Sequence, residues 1–113
     1  MADKLWKVNE RWWAKRLSYI TGIEAKRLPI NGRGKQPDVD HPIFPTECKE
    51  RQVIPQWLLK ALRQADEGAT KEGQTPIVQV HMKNTPHEDD FICIRLSNFE
   101  RLVHSSGQCK RRM

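Results

Sequence analysis

The stretch Pro37-Asp38-Val39-Asp40-His41-Pro42-Ile43-Phe44-Pro45-Thr46-Glu47-Cys48-Lys49 holds the most informative pattern in the chain. It reads as two short strands, near Asp38 to Asp40 and Ile43 to Lys49, separated by a turn at His41-Pro42. Pro42 and Pro45 make the hairpin irregular, since neither donates a ladder hydrogen bond. Side chains alternate along a strand, so Glu47 and Lys49 share one face while Thr46 and Cys48 point to the other. If the strand with Asp38 runs antiparallel alongside, its carboxylate approaches Glu47, and two carboxylates a few ångströms apart repel unless a cation lies between them. A hard divalent ion such as Mg²⁺ satisfies them and keeps waters. The nearby Lys49 ammonium could orient or help deprotonate such a water, or stabilise charge on a phosphate.

Working outward, Trp6, Trp13 and Leu17 recur at helical spacing from Lys4 to about Ser18, with Leu5 and Trp12 widening the stripe and Gly22 as the stop. Glu10 lies on that stripe, and a carboxylate among apolar residues needs a partner. Pro29 to Pro37 is rich in breakers and reads as a mobile basic loop. After Pro55, the residues Trp57, Leu58, Ala61, Leu62 and Ala65 form one face of a central helix that ends near Gly68 or Gly73. Val78, Val80 and Met82 alternate with Gln79 and His81, and Phe91 to Leu96 is almost continuously apolar. These two strands flank a polar turn, Asn84 to Asp90, and pair as a hairpin. Ser97 and Glu100 form a capping box for a last short helix with Phe99, Leu102 and Val103 on its buried face. The expected class is α/β in the order α-β-β-α-β-β-α, with a single domain over 1–103 and a basic, flexible tail over 104–113.

Composition narrows the function. The 113 residues carry 20 Lys or Arg against 14 Asp or Glu, a formal charge of +6, which points to a polyanionic partner such as nucleic acid. A chain this short holds one modest core and no appended modules. No run approaches the roughly 20 apolar residues of a membrane span, and the amino terminus lacks a secretory apolar block. Three cysteines without CxxC spacing fit a reducing, cytoplasmic location and disfavour a cysteine-built zinc site.

Pro37-Asp38 followed by Glu47-x-Lys49 resembles the signature of the PD-(D/E)XK nuclease superfamily, and the surrounding order of elements is most similar to its small Holliday-junction-resolvase-like endonucleases, often encoded by phages and archaea. The similarity in element order spans about residues 4 to 103, while motif identity is confined to a few positions. The resemblance implies a restriction-endonuclease-like core, a short mixed central sheet flanked by helices. It also implies an Mg²⁺-dependent phosphodiesterase, with Mn²⁺ able to substitute, acting on branched or junction DNA as a homodimer. Asp38 and Glu47 would ligate the metal, with Asp40 as the alternative to Asp38 because the two share strand phase. Glu10 would complete the site directly or through water, Lys49 would act on the nucleophilic water, and Gln64, one turn after Lys60, would position water or phosphate. Arg33, Lys35, Arg51 and Lys60 would hold the DNA backbone.

Each feature also has a plainer reading. Glu47 and Lys49 could form only a surface ion pair, Glu10 could sit at a wet helix edge beside Lys7 or Arg11, and Gln64 could cap or hydrate. The tryptophans suit core or interface anchoring better than base stacking. His41 reads as a turn residue and Cys48 as a small core hydrophobe, not a nucleophile. His81, His87 and His104 show no ligand spacing, so a histidine-built metal centre is not expected. A junction-indifferent nicking or repair nuclease, and a DNA-binding protein without catalysis, remain the competing functions.

Overall fold

The computed structural model describes residues 5–29 and 36–106, with side chains from Lys7 onward. The elements are α1 (Leu5–Thr21), β1 (Lys26–Arg27), β2 (Val39–Asp40), α2 (Gln56–Gly68), β3 (Val78–Val80), a 3₁₀ turn (His87–Asp89), β4 (Phe91–Cys93) and α3 (Leu96–Ser106). The α-β-β-α-β-β-α order is the expected one. Among the described residues, however, the strands do not form one mixed central sheet. They form two antiparallel pairs, β1 with β2 and β3 with β4. The chain divides into two compact units, Met1–Gln52 with Val103–Met113, and Val53–Leu102. No described helix is long and apolar enough to cross a membrane.

In the first unit, α1 buries Glu10, Ala14, Leu17, Ile20 and Thr21, a stripe spaced by three and four residues that packs on β1 and β2. Relative to the expected stripe, the buried face is rotated away from Trp12, which is exposed, and leaves Trp13 half-buried at its edge. The two indole rings stack with centroids 6.4 Å apart. Gly22, at φ 72°, ends the helix in the left-handed region that a side chain disfavours, and its N–H donates to the Ser18 carbonyl at 2.8 Å. The chain then enters β1, whose register with β2 pairs Lys26 with Asp40 and Arg27 with Val39.

Val39 is fully buried, and on its other side it exchanges both backbone hydrogen bonds with Thr46, at 3.0 and 2.9 Å. That single bridge is all that forms of the expected Ile43–Lys49 strand. Pro42 and Pro45 bring no N–H to a ladder, and beyond them the Cys48 N–H donates to the Asp38 carboxylate at 2.8 Å instead of to a strand. The second strand of the first sheet is β1, two polar residues with no alternation to reveal them.

In the second unit, Pro55 precedes α2 and its carbonyl accepts the Leu58 and Leu59 N–H groups. The β3–β4 register pairs Val78 with Cys93, Gln79 with Ile92 and Val80 with Phe91, and α2 packs on β3. Asn84, at φ 67°, makes the left-handed turn residue of the connection. The Arg95 carbonyl accepts the Asn98 and Phe99 N–H groups, so α3 starts one residue before Ser97 and the expected capping box does not cap it. The helix continues through His104 to Ser106; the rest of the predicted tail, 107–113, lies outside the described residues. No residue over 53–102 is fully buried.

Candidate active site in the first unit

Glu10, Asp38, Glu47 and Lys49 line one open cavity of about 370 Å³, with Cys48, Glu50 and Arg51 completing its wall. Three different parts of the chain supply the carboxylates. Glu10 comes from the middle of α1, Asp38 from the residue before β2, and Glu47 from the extended segment after the Thr46 bridge.

The burial of Glu10 is the strongest of these placements: the residue is only 5% exposed. A carboxylate so far from water requires compensation, which Arg27 of β1 supplies by donating from Nε to Oε1 at 2.7 Å. Neither Lys7 nor Arg11 is that partner. Asp38 is half-buried, and its Oδ2 accepts the Cys48 N–H. Glu47 and Lys49 stand at the open side, 3.6 Å apart and each more than half exposed. An exposed pair of this kind contributes little to stability.

Cys48 reports on the electrostatics. Its thiol is pushed up to about 11, first by burial and then by Asp38, Glu10 and Glu47. A thiol raised so far stays protonated near neutrality and is a poor nucleophile. The expected phase directed Cys48 away from Glu47, whereas both line the cavity, because the segment has left regular strand geometry by that point.

Asp40 is exposed and lies outside the cavity lining, pairing with Lys26 across β1 and β2. Arg51 is exposed on the cavity wall and donates to the Glu50 carbonyl at 3.0 Å. Lys60 and Gln64 are exposed on α2, in the second unit. Arg33 and Lys35 lie outside the described residues. His41, at the turn after β2, is buried: it is 3% exposed, its Nδ1 accepts the Ile43 and Phe44 N–H groups at 3.0 Å, and its Nε2 meets Thr21 Oγ1 at 2.9 Å. Two donors facing Nδ1 leave Nε2 as the protonated nitrogen. Burial lowers the His41 pKa, with the backbone at Ile23 and the charge of Asp40 opposing.

The cavity carboxylates are not drawn together as closely as a second group. Among the described residues, His81, His87 and Asp90 bring one donor atom each to within 4.8 Å of one another. Sequence spacing concealed this cluster, although the hairpin expectation contained its signal: the register that pairs Val80 with Phe91 makes positions 81 and 90 the next cross-strand pair. Arg27 was concealed for a different reason. The stripe shows that Glu10 needs a partner, but not which cation arrives.

Compared with protein-family models, with curated proteins and with solved structures, the chain matches none.

Proposed function

We propose that this protein is a metal-dependent DNA endonuclease that hydrolyses phosphodiester bonds and prefers branched DNA, in the manner of a Holliday junction resolvase. The observation that carries the reading is the shared cavity of Glu10, Asp38, Glu47 and Lys49. The formal charge of +6 suits a polyanionic substrate, and the PD-(D/E)XK resemblance supplies the junction preference, the pairing of two copies and a role in DNA recombination or repair inside a cell.

The donor chemistry fits Mg²⁺: carboxylate oxygens beside a wet opening suit a hard ion that keeps several waters and needs only one or two direct carboxylates. Asp38 and Glu47 would hold it, with Glu10 reaching it directly or through water and Mn²⁺ able to substitute. Bound there, it would supply an activated water and offset phosphate charge. The chain's own groups do the rest. Arg27 holds Glu10 through Oε1, and Oε2 would be the oxygen that serves the ion. The Cys48 N–H sets the orientation of Asp38. Lys49 stands where an ammonium can steer the attacking water or stabilise the charge that develops on the phosphate, and Arg51 can grip a neighbouring phosphate. Exposed Trp12 and Trp57 are the first candidates for a pairing surface between copies.

A second reading, DNA binding without cleavage, draws on the looser spacing of the carboxylates and the neutralisation of Glu10 by Arg27. One comparison separates the readings. Purified protein is incubated with Mg²⁺ or Mn²⁺ and either a four-way junction or a linear duplex of the same sequence. Cutting of the junction, lost in Glu47→Ala and Lys49→Ala with binding retained, is expected. Equal cutting of both substrates removes the junction preference, and binding without cutting leaves only the second reading.

A further inference from the structure

The second unit holds a constellation that the proposed nuclease chemistry does not use. His81 follows β3, Asp90 precedes β4, and His87 opens the 3₁₀ turn between them. His81 Nδ1 lies 2.6 Å from Asp90 Oδ1, and His87 Nδ1 lies 3.0 Å from Oδ2. A carboxylate only accepts, so each Nδ1–H donates to it. The imidazole rings stack with centroids 4.0 Å apart at 26°. Asp90 has little freedom, because its side chain is only 9% exposed and Gln79 Nε2 donates to Oδ2 at 2.7 Å. Its carboxyl is held below the usual carboxylate range by the hydrogen bonds from His87 first and His81 second.

We infer that His81, His87 and Asp90 form a binding site for a divalent transition-metal ion of the zinc type, which clips the β3–β4 hairpin. Two imidazole nitrogens and one carboxylate oxygen are the donors such an ion prefers, whereas Mg²⁺ and Ca²⁺ favour sites built from oxygen. Bonds of about 2.0–2.1 Å place the ligand atoms of a tetrahedron roughly 3.3 Å apart. The three residues already bring one donor atom each within 4.8 Å of one another, and His81 Nδ1 lies closer to Asp90 Oδ1 than that edge, so modest side-chain rotation suffices. Asp90 can divide its oxygens, Oδ1 for the ion and Oδ2 for Gln79, which then orients the ligand from outside the coordination shell. On binding, each imidazole proton shifts from Nδ1 to Nε2. His87 is 76% exposed, leaving an entry path and a water as the fourth ligand.

The hairpin has reason to benefit. It pairs over three positions, and no residue of its unit is fully buried, so a cross-link from strand to turn to strand adds constraint where packing adds little. The inference stands on residues other than those of the proposed nuclease site and does not depend on that function.

The test uses the full chain carrying Glu47→Ala, so that the carboxylate cavity is weakened as a competing site, and titrates Zn²⁺ against a chromophoric chelator. One equivalent should bind with a dissociation constant of about 1 µM or tighter, and a tenfold excess of Mg²⁺, on the order of millimolar, should not displace it. His87→Ala alters an exposed turn residue and should fold normally while weakening binding more than about 100-fold; Gln79→Ala should weaken it about 10- to 100-fold. Zn²⁺ should also move the His81 and His87 ring resonances in NMR spectra, which hydrogen bonding to Asp90 alone does not require. No binding in the parent protein, or binding that survives both His87→Ala and Asp90→Asn, overturns the site.

Discussion

The two units secure their polar groups by different means. In the first, Glu10, Thr21 and His41 are buried, and every buried side-chain nitrogen or oxygen among the described residues has a hydrogen-bond partner. Glu10 meets Arg27, and His41 joins the end of α1 to the turn after β2. In the second, polar groups are tied together at the surface, as in Arg95 with Asp66 and in the histidine pair with Asp90, while Trp57, Met82, Phe91 and Ile92 stand more than half exposed. Burial makes a polar contact consequential, because a lost partner cannot be replaced by water. A site needing fixed carboxylates is better supported by the first arrangement, and one that opens to receive an ion by the second.

The largest effects should come at the open side of the first unit. Glu47→Ala and Lys49→Ala should each reduce junction cleavage by about 10²- to 10⁴-fold, the range for loss of a positioned acid, base or charge-stabilising group. Their stability should stay within about 0.5 kcal/mol of the parent, as expected for surface positions. Cleavage rates and urea titrations on the same preparations check both halves. A large loss of stability would mean that the pair holds structure and does no chemistry.

Core truncation sharpens the contrast. Leu17 is fully buried, and Leu17→Ala should cost about 3 kcal/mol through lost transfer energy and the cavity left behind. Phe91→Ala, at a side chain 65% exposed, should cost much less. Equal losses in urea denaturation would show that Phe91 is covered in solution, for which a second copy is the simplest occupant.

The ion pairs repeat the comparison with smaller numbers. Arg27→Ala strands Glu10 in a buried position and should cost about 3 kcal/mol or slightly less, since Arg27 retains some solvent contact. Adding Glu10→Leu should recover much of it by removing the orphaned charge. Arg95→Ala breaks a pair whose members are 43% and 40% exposed and should cost no more than about 1 kcal/mol. Comparing the unfolding free energies of these variants tests whether burial sets the hierarchy.

Regular periodicity made the three helices and the β3–β4 hairpin legible. Leu17 marks α1, Trp57 to Ala65 marks α2, and Val78 and Val80 alternate in β3. Two failures came from chemistry without a period. Lys26 and Arg27 are too few and too polar to announce a strand, and the Ile43–Lys49 segment loses its ladder when the Asp38 side chain captures the Cys48 N–H. The same division runs through the candidate site. Glu10 betrays itself as an acid on an apolar stripe, and Glu47-x-Lys49 through its alternation, but a separation of 17 positions between Glu10 and Arg27 carries no local signal. His81, His87 and Asp90 become neighbours only once the hairpin register is known.

The smallest effect should be the dependence of stability on pH through His41. Its Nδ1 faces two backbone N–H donors, so protonation would set a third hydrogen where an acceptor is needed. Burial also disfavours the cation, and the folded pKa lies below the ordinary 6.5. Between that folded value and about 6.5, the unfolded chain binds more protons than the folded one, so stability rises with pH there. The contribution is complete above about pH 6.5 and is lost as pH falls from there through the folded pKa. His41→Asn removes the titrating group, so the stability advantage of the parent over this variant should shrink as pH falls from 8 towards 5. Taking the difference between the two proteins cancels the carboxylates and the other histidines they share. An advantage that stays constant or grows on acidification would show that His41 accepts a proton in the folded state without losing its contacts with Ile43 and Phe44.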